Sequence, residues 1–118
     1  MAGALEVLVI GEVATLLGSG EGSPFTPAER AYAQSKPDPE RRLAARLAAK
    51  RAALRLLGKS LTPADVEVVS GWGGPPRLRL SVRAEERLHA LGADRALVSL
   101  THERAHAAAA VLLVRGGR

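Results

Sequence analysis

The pattern that most limits what this chain can fold into begins at Asp38-Pro39 and ends at Gly58. Aspartate followed by proline is a helix start: the carboxylate suits the N-cap, and proline's fixed φ suits the first helical position. From there Leu43, Leu47, Leu54 and Leu57 fall on one face at helical spacing, and Gly58 is a natural stop. A long central helix with one apolar face must bury that face against another layer.

The remaining sequence supplies that layer. Leu5 to Ile10 is a short apolar run ended by Gly11 and reads as a buried strand. Gly18 to Pro24 reads as a loop. Thr26, Pro27 and Glu29 then give an N-cap, a proline at the first helical position and a capping-box acid, which predicts a short helix to about Ser35. Asp65 to Ser70 and Arg77 to Ser81 alternate as half-buried strands about the turn GWGGPP, and should pair as a hairpin. Val82 to Leu91 carries a weaker helical pattern that stops at Gly92. Ala96 to Thr101 and Ala107 to Val114 read as two further strands. The expected order is βααββαββ. It implies an α+β fold in which a mainly antiparallel sheet packs against a long central helix, with residues 1–118 as a single domain.

Composition removes several classes of function. With no cysteine among 118 residues, disulfides, thiol catalysis and cysteine-ligated zinc are excluded, and a cytoplasmic location is the default. No apolar run approaches the ~18 residues of a membrane span, and the N-terminal stretch lacks the basic start of a signal peptide. A formal charge of +5 favours an anionic partner. Phe25, Tyr32 and Trp72 are the only aromatics, too scattered for base stacking, so no nucleic-acid partner is expected.

Three segments carry a resemblance: FTPAER at Phe25 to Arg30, ARLAAKRAALRLLG at Ala45 to Gly58, and VSLTHERAHAAAAVLLV at Val98 to Val114. In this order and spacing they resemble the holo-acyl-carrier-protein synthase family of 4'-phosphopantetheinyl transferases. That family's pattern is F-T-x-x-E, A-R-F-A-A-K-E-A, and S-x-S-H before an Ala/Val-rich strand. The resemblance implies transfer of the phosphopantetheine arm of coenzyme A to a serine of an acyl carrier protein, a step of fatty acid biosynthesis, by a homotrimer whose neighbouring subunits build the coenzyme A cleft. It also implies a magnesium ion, held by an Asp after the first strand and by the Glu of A-A-K-E-A.

Carried over residue by residue, the resemblance assigns Arg46, Lys50, Arg55 and His102 to coenzyme A, and Glu12 and Arg51 to the catalytic positions. Glu12 aligns with the family's Asp, one methylene longer. An error of about an ångström in such a position can cost ~100-fold in rate. Arg51 stands where the family has its Glu. At ~4 Å and an effective dielectric of ~20, an attraction of about 4 kcal/mol per metal charge becomes a comparable repulsion. Magnesium is therefore not expected to bind as in the family, and Glu12 is the one acid left to hold it.

Two outcomes follow for Arg51: its guanidinium takes over the ion's role on the phosphates, or the site is degenerate. Arg51 and Arg55 stand at i,i+4, where two like charges repel unless an anion bridges them. A lysine on an apolar face ordinarily snorkels to water, which is the bland reading of Lys50. His102 follows Ser99 and Thr101, which keep the hydroxyl pattern, whereas His89 and His106 have no metal-binding spacing and no assigned role. Only twelve residues separate Glu12 from Phe25, and none is Lys or Arg, so the family's arginine-bearing docking segment for the acidic carrier is missing. The first reading is the transferase. The alternatives are a degenerate homologue that binds coenzyme A or a protein partner, and a basic nucleic-acid-binding domain.

Overall fold

The computed structural model describes residues 2–10, 23–58, 60–70 and 75–115. Strand β1 (Ala2–Val9) is followed by helices α1 (Pro27–Gln34) and α2 (Pro39–Leu57), a 3-10 turn at Pro63–Asp65, strands β2 (Val66–Val69) and β3 (Arg77–Leu80), helix α3 (Val82–Ala90), and strands β4 (Arg95–His102) and β5 (His106–Val114). The order among the described residues is the expected one. Three strands form a sheet in the order β1-β5-β4, antiparallel throughout, and β2 and β3 form a separate antiparallel hairpin.

The helix starts follow from capping. Thr26 Oγ1 accepts from the Glu29 N–H at 3.1 Å, and Glu29 Oε1 accepts from the Thr26 N–H at 2.8 Å, so the reciprocal box opens α1. At α2 the start lies at Pro39 as expected, but the Asp38 carboxylate makes no bond to the helix backbone. It pairs instead with Arg42 Nε at 3.1 Å, one turn on. Gly58 ends the helix with φ at +119°, which favours a residue without Cβ.

β1 begins at Ala2, three residues before the apolar run. Small Ala2, Gly3 and Ala4 have little strand preference of their own, but β5 offers partners from Leu113 to Val111 and extends the ladder over them. A Cβ at Gly3 would stand 2.7 Å from Leu112 Cδ2, the tip of an exposed side chain that can turn aside.

Alternation divides the large sheet into two unlike faces. Ala4, Glu6 and Leu8 of β1, with Ala107, Ala109, Val111 and Leu113 of β5, form the row turned toward α2. The opposite face carries Leu5, Val7, Val9, Leu97 and Leu112, all exposed. α2 meets the sheet with more than its leucines: Ala44, Ala45, Ala48, Ala49, Ala52 and Ala53 are all buried, whereas Leu54 is only half-buried. A contact made of methyl groups lets helix and sheet backbones approach closely. Of the polar residues of α2, Glu40, Arg51 and Arg55 are exposed and Arg41 and Arg42 half-buried, whereas Arg46 and Lys50 are buried.

Among the described residues, no helix is long and apolar enough to cross a membrane.

Candidate functional site

The first polar station lies near the start of α2. Arg46 is 3% exposed, with its guanidinium carbon 4.1 Å from the centre of the Tyr32 ring. Nη2 donates to Ser70 Oγ at 2.5 Å and Nη1 to the Arg42 carbonyl at 3.4 Å, while Nε has no partner among the described residues. Burial pulls the guanidinium below its usual pKa, against the favourable presence of Tyr32. Burial alone would raise the Tyr32 phenol. The Arg46 charge, with Ser70 and Lys36, outweighs that effect and lowers it. Lys36 Nζ also lies over the Tyr32 ring, 5.1 Å from its centre. The hydrogen bond from Arg42 holds the Asp38 carboxyl below its ordinary range, and His102 lies half-buried at the end of β4.

The second station is Lys50, and it overturns the expectation that this lysine snorkels. Its side chain is fully enclosed and donates to Glu29 Oε1 at 2.6 Å. Glu29 Oε2 accepts from the Val68 N–H at 2.8 Å, so one carboxylate ties α1, α2 and β2 together. Desolvation pulls the Lys50 ammonium below its usual pKa, and the Glu29 charge opposes that pull. A phosphate would have to displace Glu29 to reach this ammonium.

The third station lies further along α2. Arg51 is exposed and makes no ion pair with a described residue. Arg55, one turn beyond, pairs with the Glu6 carboxylate and donates to the Leu5 carbonyl at 3.4 Å. Glu6 belongs to the inward row of β1, between Ala4 and Leu8, and its side chain is only 13% exposed. Glu12 lies outside the described residues. No group of three or more His, Cys, Asp or Glu side chains converges on a common point among the described residues.

The sequence reading missed three residues here. Glu6 was hidden inside a run counted as apolar, although strict period-2 counting places it on the helix side. Tyr32 and Ser70 lie 14 residues before and 24 residues after Arg46 in the chain, and no local pattern links them to it. The structure gathers Arg46 and its neighbours at one end of α2 and Arg51, Arg55 and Glu6 toward the other. Lys50 lies between them, turned inward.

With that geometry in place, comparison with known proteins adds the following. A holo-[acyl-carrier-protein] synthase from Moorella thermoacetica is 42% identical over 92 residues, covering 75% of this chain and 72% of that protein. An acyl carrier protein synthase from Mycobacterium tuberculosis superposes with a TM-score of 0.73 at 34% identity, covering 96% of each chain. A coenzyme A complex of the corresponding synthase from Chronobacterium ammoniagenes superposes with a TM-score of 0.72 at 26% identity, over 98% of this chain and 97% of that one. No protein-family model matches the chain.

Proposed function

Because the chain belongs to the holo-[acyl-carrier-protein] synthase family, we propose that it transfers the 4'-phosphopantetheine arm of coenzyme A to a serine of an acyl carrier protein. In that reaction the serine oxygen attacks phosphorus, one phosphorus–oxygen bond of the diphosphate breaks, and adenosine 3',5'-bisphosphate leaves. Such chemistry rests on positioning and on stabilising phosphoryl charge. The observation that carries the reading is the cationic margin of α2, where Arg46, Arg51 and Arg55 are held by a helix seated rigidly on the sheet.

In this reading Arg46 and His102 serve the phosphates of coenzyme A, Arg46 through a fork already fixed by stacking on Tyr32. Lys50 supports the site from behind, by locking Glu29 and the start of α1. Arg51 faces the diphosphate. Glu12 keeps its assignment near the reacting groups from the alignment alone. The carrier protein docks through Arg41 and Arg42 at the start of α2, since the segment between Glu12 and Phe25 has no basic residue. The reaction belongs to fatty acid biosynthesis in the cytoplasm.

Assembly belongs to the same proposal. The outward face of the large sheet exposes Leu5 at 61%, Val7 at 58% and Leu112 at 44%, a contiguous apolar surface of the kind subunit contacts cover. A homotrimer uses this face, with the cleft for coenzyme A formed between neighbours.

The test is incubation of the full chain with coenzyme A and an apo-acyl carrier protein, followed by mass spectrometry of the carrier. A gain of one phosphopantetheine group on its serine is the expected result. Coenzyme A binding without transfer, to any carrier tried and with or without divalent ions, would instead establish a degenerate homologue.

A further inference from the structure

We infer that the contact between β1 and α2 is a fixed-charge site that works without a divalent ion: Arg51 supplies positive charge to the substrate's phosphates, and Glu6 is a positioning residue that holds Arg55. The inference rests on the transferase reading, and it concerns Arg51, where an arginine stands in place of the metal-binding Glu that the family pattern implies.

The donor set does not fit magnesium. That ion takes near-octahedral oxygen ligands and is usually held by one or two carboxylates plus substrate phosphates. The helix position that would supply a second carboxylate is Arg51. The carboxylate that β1 does turn toward α2, Glu6, is already engaged by Arg55. Among the described residues, a cation entering here would meet two guanidinium groups and a neutralised acid.

The same geometry suits an anion. Arg51 and Arg55 stand one turn apart on one side of the helix, where like charges repel. Glu6 compensates only one of them. Arg55 stays largely exposed but is tied twice to β1, to the Glu6 carboxylate and to the Leu5 carbonyl, so part of its charge and donor capacity is already taken. Arg51 is left exposed, with no ion pair to a described residue, and its planar fork matches two phosphate oxygens. An acid on the inward row of a strand is costly unless paired, so Glu6 and Arg55 hold each other and fix the helix turn that presents Arg51.

Two binding measurements and one rate measurement on the full chain test this. In a manganese titration followed by electron paramagnetic resonance, the free-ion signal should be the same with and without protein. Calorimetry should give a coenzyme A affinity in EDTA within about twofold of that in excess magnesium. Arg51→Glu should lower the affinity in EDTA by about tenfold or more, the scale of one charge-assisted contact, and should create manganese binding. Glu6→Gln should leave coenzyme A affinity within about twofold while lowering the turnover of the transfer reaction. Arg55→Lys should retain more of that turnover than Arg55→Met. Manganese binding by the unmodified chain that Glu6→Gln removes, or coenzyme A binding that requires magnesium, would overturn the inference even with transfer intact. If coenzyme A binds but no transfer occurs under any condition, the transferase reading fails, and the EDTA comparison and the Arg51→Glu affinity still decide the charge site.

Discussion

Lys50 Nζ lies 2.6 Å from Glu29 Oε1 with both side chains fully enclosed, and Glu29 also accepts from the Thr26 and Val68 N–H groups. Three elements therefore meet on one carboxylate. Removing one partner of a buried pair costs about 3–5 kcal/mol, because the other charge is left uncompensated. Lys50→Met leaves Glu29 two backbone donors and should fall near the lower end, about 3 kcal/mol. Glu29→Gln strands an ammonium that has no other hydrogen-bond or ion-pair partner among the described residues, and should cost more. Urea unfolding of the two variants gives the order, and the reverse order would show that an uncompensated Glu29 carboxylate is worse here than an uncompensated Lys50 ammonium.

Arg46 offers a prediction about ligand recognition. Lysine at this position would keep the charge but lose the stacking on Tyr32 and the fork that now reaches Ser70. Arg46→Lys should weaken coenzyme A binding by about tenfold, or ~1.4 kcal/mol, and weaken dephospho-coenzyme A less. Calorimetry with the two ligands separates the effects. Equal losses would argue against a contact to the 3'-phosphate.

The outward sheet face predicts assembly. Light scattering at micromolar concentration should give three times the chain mass of 12.3 kDa. Val7→Asp places a charge on that face, on edge strand β1, without touching the α2 side, and should return the mass to one chain while far-UV dichroism stays unchanged. A trimer that survives Val7→Asp would place the subunit contact elsewhere.

Asp65 gives a prediction in acid. Its carboxylate accepts from the Thr62 N–H at 2.8 Å and from the Ser81 hydroxyl at 2.7 Å, and these bonds hold its pKa below the ordinary range, the Thr62 N–H contributing most. A depressed folded-state pKa means that the unfolded chain binds the extra proton first. The stabilisation is thus fully present above the ordinary aspartate range, about pH 4, and is lost as pH falls through the lower folded value. Asp65→Asn should flatten the acid limb of a plot of unfolding free energy against pH over that window. An unchanged limb would mean that the two bonds do not favour the charged form.

Much of the fold could be read from short-range signals because those signals are local physics. Pro39 and Gly58 bracket α2 through backbone constraints that act on single residues, and the Thr26–Glu29 box does the same for α1. The start of β1 was not legible, since Ala2 to Ala4 join the sheet only because β5 offers partners. The candidate site was legible where one helix carries it, at Arg46, Arg51 and Arg55. It was illegible where two distant segments meet. Glu29 announced its capping role but not its second oxygen's bond to β2 or its pairing with Lys50, and Glu6 gave no sign of facing Arg55 until the register of β1 was known.

The alanine seat of α2 has a consequence for how this protein tolerates change. Ala48, Ala49 and Ala52 have no exposed surface and carry no polar side-chain group. Their small size nonetheless sets the gap between helix and sheet, and with it the span from Glu6 to Arg55. A larger side chain at any of them would act as a shim, lifting α2 and separating the charged groups at its margin. Substitutions here should therefore be felt in turnover before they are felt in folding, so that the residues governing catalytic alignment include some that carry no chemistry of their own.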